Sequence, residues 1–309
     1  MINVLFAAKS ERWPIYEAPL KTAFEALGLK VDLRTDFPPN QVDYIVYAPN
    51  SDMQDFTPYT RCKAVLNLWA GVENITGNAT LTQPLARMVD TGLTEGMIEW
   101  VAGHVLRHHL GMDQHINGQD GNWRSYVPPL ARDRRVTVLG LGELGMAVAE
   151  SLVGLGFPVT GWSRREKSSK EVKTLSGKDG LTQALACADI LVLLLPLTST
   201  TDSLLNAETL SLMPRGAVII NPGRGPLIDD DALLAALDEG QIGHATLDVF
   251  RVEPLPKAHP YWTHPNVTVT PHIASETRPK TASEVIAENI RRSEAGEPLL
   301  FLVDRSAGY

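Results

Sequence analysis

The stretch Val138-Leu139-Gly140-Leu141-Gly142-Glu143-Leu144-Gly145 constrains the fold of this chain more than any other. Three glycines at that spacing occur in ordinary turns as well, so the flanks decide the reading. An apolar run, Arg135 to Gly140, leads into it, and Met146, Ala149, Leu152 and Val153 follow at helical period. Between a strand and a helix each glycine has its own task. Gly140 permits the tight turn, and Gly142 lets the backbone approach a pyrophosphate. Gly145 lets the helix pack on the strand while the helix N-terminus faces negative charge. Leu144 sits in the same turn and is counted with the glycines as cofactor-binding. Such a unit belongs in a parallel sheet with helices on its faces.

The alternation continues in both directions. Strands are expected at Pro158 to Trp162, Asp189 to Leu195, Ala217 to Asn221, His244 to Val249 and Val267 to Thr270. Earlier strands are expected at Asn3 to Ala7, Lys30 to Leu33, Tyr44 to Tyr47, Ala64 to Leu68 and Arg87 to Val89. Pro14 suits the start of the first helix and Gly28 the position just past its end. A long helical pattern opens at Thr94, and a last helix runs from about Thr277 to Glu294. The expected fold class is α/β, with a doubly wound, Rossmann-type parallel sheet for the nucleotide and a smaller flavodoxin-like α/β domain for the substrate. Residues 1–97 with 276–309 would form the discontinuous substrate-binding domain, and 98–275 the nucleotide-binding domain.

At 309 residues the chain has room for two such domains. A net charge of −8 argues against nucleic acid as a partner, because phosphate backbones are bound by clustered Lys and Arg. The longest apolar stretch, Ile190 to Leu195, falls far short of the roughly 20 residues that span a membrane. The opening residues carry no positive charge before their apolar run and read as a buried strand, so a cytoplasmic location is expected. Cys62 and Cys187 lie in apolar surroundings and read as packing residues, with no zinc-ligand spacing around them.

Three residues are expected at the carboxyl ends of consecutive strands, where sheets of this type bind ligands. Arg224 lies in Asn221-Pro222-Gly223-Arg224-Gly225, Glu253 follows Leu247-Asp248-Val249-Phe250, and His272 follows Val269-Thr270-Pro271. Singly, each has a bland reading: a loop Arg or Glu is usually a solvated charge, and a His beside a Pro a structural residue. Together they can hold an anion and transfer a proton. The second strand of the glycine unit runs into Ser163-Arg164-Arg165, at the place where NAD-specific proteins carry an Asp or Glu for the ribose 2′-hydroxyl. A carboxylate would repel a 2′-phosphate, whereas a hydroxyl and guanidinium groups bind it. NADPH is therefore expected, with NADH weaker. Arg164 is the first candidate for the phosphate and Ser163 the second, while Arg165 is either a further contact or a solvated neighbour.

In these residues and their contexts the chain resembles the D-isomer-specific 2-hydroxyacid dehydrogenases, most closely the glyoxylate/hydroxypyruvate reductase A branch. The resemblance covers nearly the whole chain. It rests on Val138 to Gly145, Asn221 to Gly225, Leu247 to Phe250 with Glu253-Pro254-Leu255-Pro256, Thr270 to Ala274, and Val303-Asp304-Arg305 with Gly308-Tyr309. It implies reduction of small 2-oxo acids, glyoxylate and hydroxypyruvate, to the 2-hydroxy acids glycolate and D-glycerate. His272 would be the proton donor, Glu253 its partner, and Arg224 the clamp on the substrate's carboxylate and carbonyl. Trp69, Ala70 and Gly71 would lie on the loop whose N–H groups receive the carboxylate, with Glu73 where Asp is common. Trp69 itself either walls a small pocket or packs in the core. Cofactor contacts are implied for Pro196, Thr201, His272, Ala274 and Asp248, although the Pro196 and Thr198 to Thr201 stretch also reads as an ordinary polar loop and Asp248 is equally suited to closing a turn after its strand. A homodimer is implied, with Gly121 to Tyr126 as an arm. Trp123 or Tyr126 would then reach the partner's site or pack on its own subunit.

Reducing a ketone requires hydride at the carbonyl carbon and a proton at its oxygen, so His272 must be protonated, and an ionised Glu253 favours that form. A nucleotide-sensing binding protein of the same fold needs no proton donor, so the complete set of Arg224, Glu253 and His272 favours an enzyme. A 3-phosphoglycerate-type dehydrogenase would require more basic residues around Leu68 to Val72.

Overall fold

In a computed structural model of the chain, which describes residues 1–305, the βα alternation forms two separate parallel sheets. Gly308 and Tyr309 lie outside the described residues. The chain divides into two compact units, Met1–Leu93 with the segment from Glu276 onward, and Thr94–Ser275.

The first unit holds β1 (Ile2–Ala7), β2 (Val31–Arg34), β3 (Tyr44–Tyr47), β4 (Ala64–Asn67) and β5 (Leu85–Ala86) in the order β2-β1-β3-β4-β5. All pairs are parallel, and the order is that of flavodoxin-like sheets. Side chains alternate across a strand, so Val4, Phe6, Val46 and Leu66 enter one core while Leu5, Ala7, Ile45 and Val65 enter the other. Helix Trp13–Ala26, with Pro14 in its first turn and Gly28 beyond it at φ +67°, buries Tyr16, Leu20 and Phe24 in the first core. Ala282, Ile286 and Ile290 of helix Pro279–Glu294 join the same core. The strand expected at Arg87 to Val89 is instead the short Leu85–Ala86. The difference has a local cause: the Arg87 N–H turns away to Phe301 O, and Val303 N bonds back to Leu85 O, so the C-terminal segment ends the ladder. The long helix likewise starts at Thr91, ahead of Thr94, because Asp90 Oδ1 accepts from Leu93 N at 3.0 Å and caps it.

The second unit holds β6 (Val136–Leu139), β7 (Val159–Ser163), β8 (Lys173–Ser176), β9 (Ile190–Leu193), β10 (Ala217–Asn221), β11 (Ile242–Leu247) and β12 (Val267–Val269). Their order, β12-β11-β10-β9-β6-β7-β8, is the doubly wound nucleotide-binding order with one added strand. β6 and β9 are buried throughout, as central parallel strands are. Val136, Val138, Ile190, Val192 and Ile220 pack with Met97, Val101 and Val105 of helix Thr91–His109, and Leu139, Leu191, Leu193, Ile219 and Leu247 fill the opposite core. The strand order reverses between β6 and β9, and the crevice beyond their carboxyl ends is the ligand position such sheets share. Among the described residues, no helix is long and apolar enough to cross a membrane.

Candidate active site

The glycine turn has the geometry its sequence requires. Gly140, at φ +109°, bonds its N–H to Trp162 O, and a Cβ there would lie 2.5 Å from Leu194 O. A Cβ at Gly145 would lie 1.7 Å from Gly140 O, so only glycine lets helix Glu143–Gly154 start so close to the strand. At Gly142 a Cβ would meet no protein atom within 4 Å. That open space adjoins the helix's first N–H groups, which have no intrahelical acceptor. The cradle therefore fits a pyrophosphate. β7 ends in Ser163, whose hydroxyl donates to Arg165 O at 2.6 Å, while Arg164 and Arg165 are exposed. Beyond β9 the loop folds on itself, with Thr201 Oγ1 donating to Pro196 O at 2.7 Å and accepting from Thr198 N at 2.8 Å.

The three chemical residues of the second unit stand on loops that bind one another. His272 and Glu253 meet through Nδ1 and Oε2 at 2.7 Å, and the other Glu253 oxygen accepts from Phe250 N at 2.9 Å. Glu253 thus holds the imidazole from one side and leaves Nε2 as the nitrogen that can exchange a proton with a ligand. The His272 backbone is left-handed, at φ +56°, and is fixed there by bonds from its N–H to Asp248 O and Thr270 O. The buried carboxylate of Asp248 closes this loop: Oδ1 accepts from Ile273 N at 2.9 Å and from Thr270 Oγ1 at 2.6 Å, and Oδ2 accepts from Ala274 N at 2.8 Å. Of the two readings of Asp248, the structure displays the turn-closing one.

Arg224 follows β10 on a loop clamped by fully buried Asn221, whose amide donates to Arg224 O at 2.9 Å and accepts from Gly223 N at 3.0 Å. The Arg224 guanidinium donates to Gly223 O at 2.6 Å. A Cβ at Gly225 would lie 2.0 Å from the Phe250 carbonyl carbon, so the Arg224 loop is pressed against the backbone that leads to Glu253. Arg251 is a residue sequence reasoning missed. Its Nη2 donates to Ile228 O at 2.7 Å, Ser203 Oγ at 2.8 Å and Pro226 O at 3.1 Å. It ties the Glu253 loop to the Arg224 loop and to the end of the Pro196–Thr201 loop.

In the first unit, Leu68-Trp69-Ala70-Gly71-Val72 leaves β4 under the control of buried Asn67. The Asn67 amide donates to Trp69 O at 2.8 Å and Gly71 O at 3.1 Å. With those carbonyls held, the Ala70 and Gly71 N–H groups make no hydrogen bond to a described residue. Successive free N–H groups of this kind suit an anion. Trp69 is half-buried; it packs against the first unit's core and also lines a small cavity.

The fold and these loops define a two-unit α/β protein of the dinucleotide-binding class, with an imidazole–carboxylate pair and a guanidinium on the nucleotide-binding sheet. Residues 101–274 match the sequence profile of the D-isomer specific 2-hydroxyacid dehydrogenase NAD binding domain. The chain is 39% identical to glyoxylate/hydroxypyruvate reductase A of Serratia proteamaculans over 81% of its own length and 82% of that protein's. It superposes with a TM-score of 0.93 on a D-isomer specific 2-hydroxyacid dehydrogenase from Xanthobacter autotrophicus, solved with NADPH and MES, at 40% identity and over 100% and 99% of the two chains. An NADPH-dependent glyoxylate/hydroxypyruvate reductase from Sinorhizobium meliloti, solved with NADP and sulfate, gives a TM-score of 0.87 at 33% identity over 100% of both chains. The chain belongs to the D-isomer-specific 2-hydroxyacid dehydrogenase family.

Proposed function

We propose that the protein reduces glyoxylate and hydroxypyruvate to glycolate and D-glycerate with NADPH. The observation that carries this reading is the 2.7 Å pairing of His272 Nδ1 with Glu253 Oε2 on a loop network shared with Arg224. A bound nicotinamide would supply the hydride. His272 delivers the proton from Nε2 to the carbonyl oxygen, and Glu253 fixes the ring through Nδ1. Arg224 holds the carboxylate and the carbonyl through its planar fork, and Trp69, Ala70 and Gly71 supply the loop that receives the carboxylate.

Gly140, Gly142, Leu144 and Gly145 would hold the pyrophosphate. Ser163, Arg164 and Arg165 would hold the 2′-phosphate, because the end of β7 offers a hydroxyl and guanidiniums where an acid would repel it. Pro196, Thr201, Asp248, His272 and Ala274 line the rest of the cofactor position in this reading. We further propose a cytoplasmic homodimer. Trp123 is fully exposed, and Val127 and Leu130 are also exposed, so this arm presents an apolar surface of the kind that interfaces cover.

The test is kcat/KM for NADPH and NADH with glyoxylate, hydroxypyruvate, pyruvate and 3-phosphohydroxypyruvate. The expected result is turnover of the first two with NADPH preferred. A preference for NADH, or turnover confined to the phosphorylated acid, would overturn it.

A further inference from the structure

The first unit has a switch point of its own, between β1 and β3, and ligands of open α/β sheets bind beyond strand ends at such points. A cavity of about 50 Å³ opens at these strand ends. Its walls include Asn50 after β3, Trp69 after β4, and Arg12 and Tyr16 at the start of the helix that follows β1. It has room for a few water-sized groups and little more.

Tyr16 is 2% exposed, with its ring fixed against Phe6 at 5.7 Å. Its hydroxyl makes no hydrogen bond to a described residue and lies in the field of Arg12, Asp90 and Glu276, of which Arg12 and Glu276 line the same cavity. Burial pushes that hydroxyl up to about 12, so it keeps its proton at neutral pH. The Trp69 indole N–H also makes no bond to a described residue. Tyr16 and Trp69 both line this small cavity, so water or a ligand that enters it is the partner available to their donors. The charges on the walls cancel: Arg12 Nη1 and Glu276 Oε1 are paired at 3.1 Å. A second carboxylate or a phosphate would find no uncompensated cation there, whereas a neutral hydroxyl would find donors. Thr277 Oγ1, donating to Leu68 O at 2.9 Å, holds this wall against the loop that carries Ala70 and Gly71.

We infer that the cavity is a subsite for the C3 hydroxyl of a 3-hydroxy-2-oxo acid, with Tyr16 as the specificity-determining donor and Trp69 as the second. This rests on the reading in which Ala70 and Gly71 receive the C1 carboxylate, since C3 lies only two bonds from C1. The subsite distinguishes hydroxypyruvate from pyruvate, which carries a methyl group at C3, and from 3-phosphohydroxypyruvate, whose charge it does not balance.

The experiment is kcat/KM for hydroxypyruvate, glyoxylate, pyruvate and 3-phosphohydroxypyruvate on the native protein and on Tyr16→Phe, with NADPH. In the variant, the hydroxypyruvate-to-glyoxylate and hydroxypyruvate-to-pyruvate ratios should each fall about tenfold, the scale of one neutral hydrogen bond. Ratios are insensitive to any fraction of the variant that fails to fold. Unchanged ratios, or a native preference for the phosphorylated acid over hydroxypyruvate, overturn the subsite while leaving the parent reading standing wherever glyoxylate is reduced. A native protein that reduces none of the four acids overturns both.

Discussion

Lowering the pH from 7 to 5 should destabilise the second unit through two buried imidazoles. His108 and His244 lie with ring centroids 4.8 Å apart, their Nε2 atoms bonded to Thr246 Oγ1 and Thr268 Oγ1, each at 2.9 Å. Burial, helped by the neighbouring His244 and by Arg107, lowers His108 to about 3. Burial and Arg107 lower His244 to about 4, with His264 and His104 adding to the effect. Asp113, paired with Arg107 at 2.8 Å, opposes both shifts without cancelling them. At pH 7 both rings are neutral in the folded and the unfolded chain. As the pH falls below the ordinary histidine value of 6.5, the unfolded chain takes up protons that the folded chain refuses. Stability present above that value is therefore lost on the way down towards 4 and 3. Each ring costs at most about 1.4 kcal/mol per pH unit in that window, so the pair should remove roughly 4 kcal/mol by pH 5. That is a large part of the 5–15 kcal/mol typical of a domain. Urea unfolding followed by tryptophan fluorescence at pH 7 and pH 5 measures it, on the native protein and on a His108→Gln, His244→Gln variant. The variant should be less sensitive to acid by about that amount. Equal acid sensitivity in the two proteins would refute the argument.

Three further outcomes are expected. A Ser163→Asp, Arg164→Ala variant should move the kcat/KM preference from NADPH toward NADH, and retained NADPH selectivity would show that the end of β7 does not read the phosphate. Arg251→Ala should raise KM and lower kcat together by loosening the Arg224 and Glu253 loops, with partial rescue in Arg251→Lys; unchanged kinetics would assign its bonds to stability alone. Asp248→Ala strips partners from the Ile273 and Ala274 N–H groups and should cost about 2–6 kcal/mol in urea unfolding, at 1–3 kcal/mol per orphaned donor. A loss below 1 kcal/mol would mean that water replaces the carboxylate.

Much of the fold was legible because its signals are local. The β6–glycine turn–helix unit announces itself in Val138 to Gly145, and β10, β11 and β12 are apolar runs that stop at residues with chemistry to do. β8 was not legible: Lys173-Thr174-Leu175-Ser176 is a half-exposed edge strand without apolar alternation, and only its pairing with β7 makes it a strand. β5 was misplaced because its limits are set by residues 301–303, far away in the chain. In the site, the residue types and their strand-end spacing pointed to His272, Glu253 and Arg224. The supports did not show. Asn67 and Asn221 each end an apolar strand and clamp the loop that follows, a signal readable in retrospect as a buried amide at a strand terminus. Arg251 sits inside the motif that carries Glu253, yet an arginine there reads as a surface charge until its guanidinium is seen folded onto Pro226 and Ile228.

In the proposed reaction His272, held by Glu253, gives the proton in an NADPH-dependent reduction of a 2-oxo acid. The most direct measurement is the rate of NADPH loss with saturating glyoxylate for the native protein and for His272→Ala, alongside NADPH affinity by fluorescence titration. Native turnover is expected, with a fall of about 10²- to 10⁴-fold in the variant and NADPH affinity that is largely retained. A variant that turns over at the native rate, or a native protein that binds NADPH without consuming it in the presence of glyoxylate, would contradict that proposal.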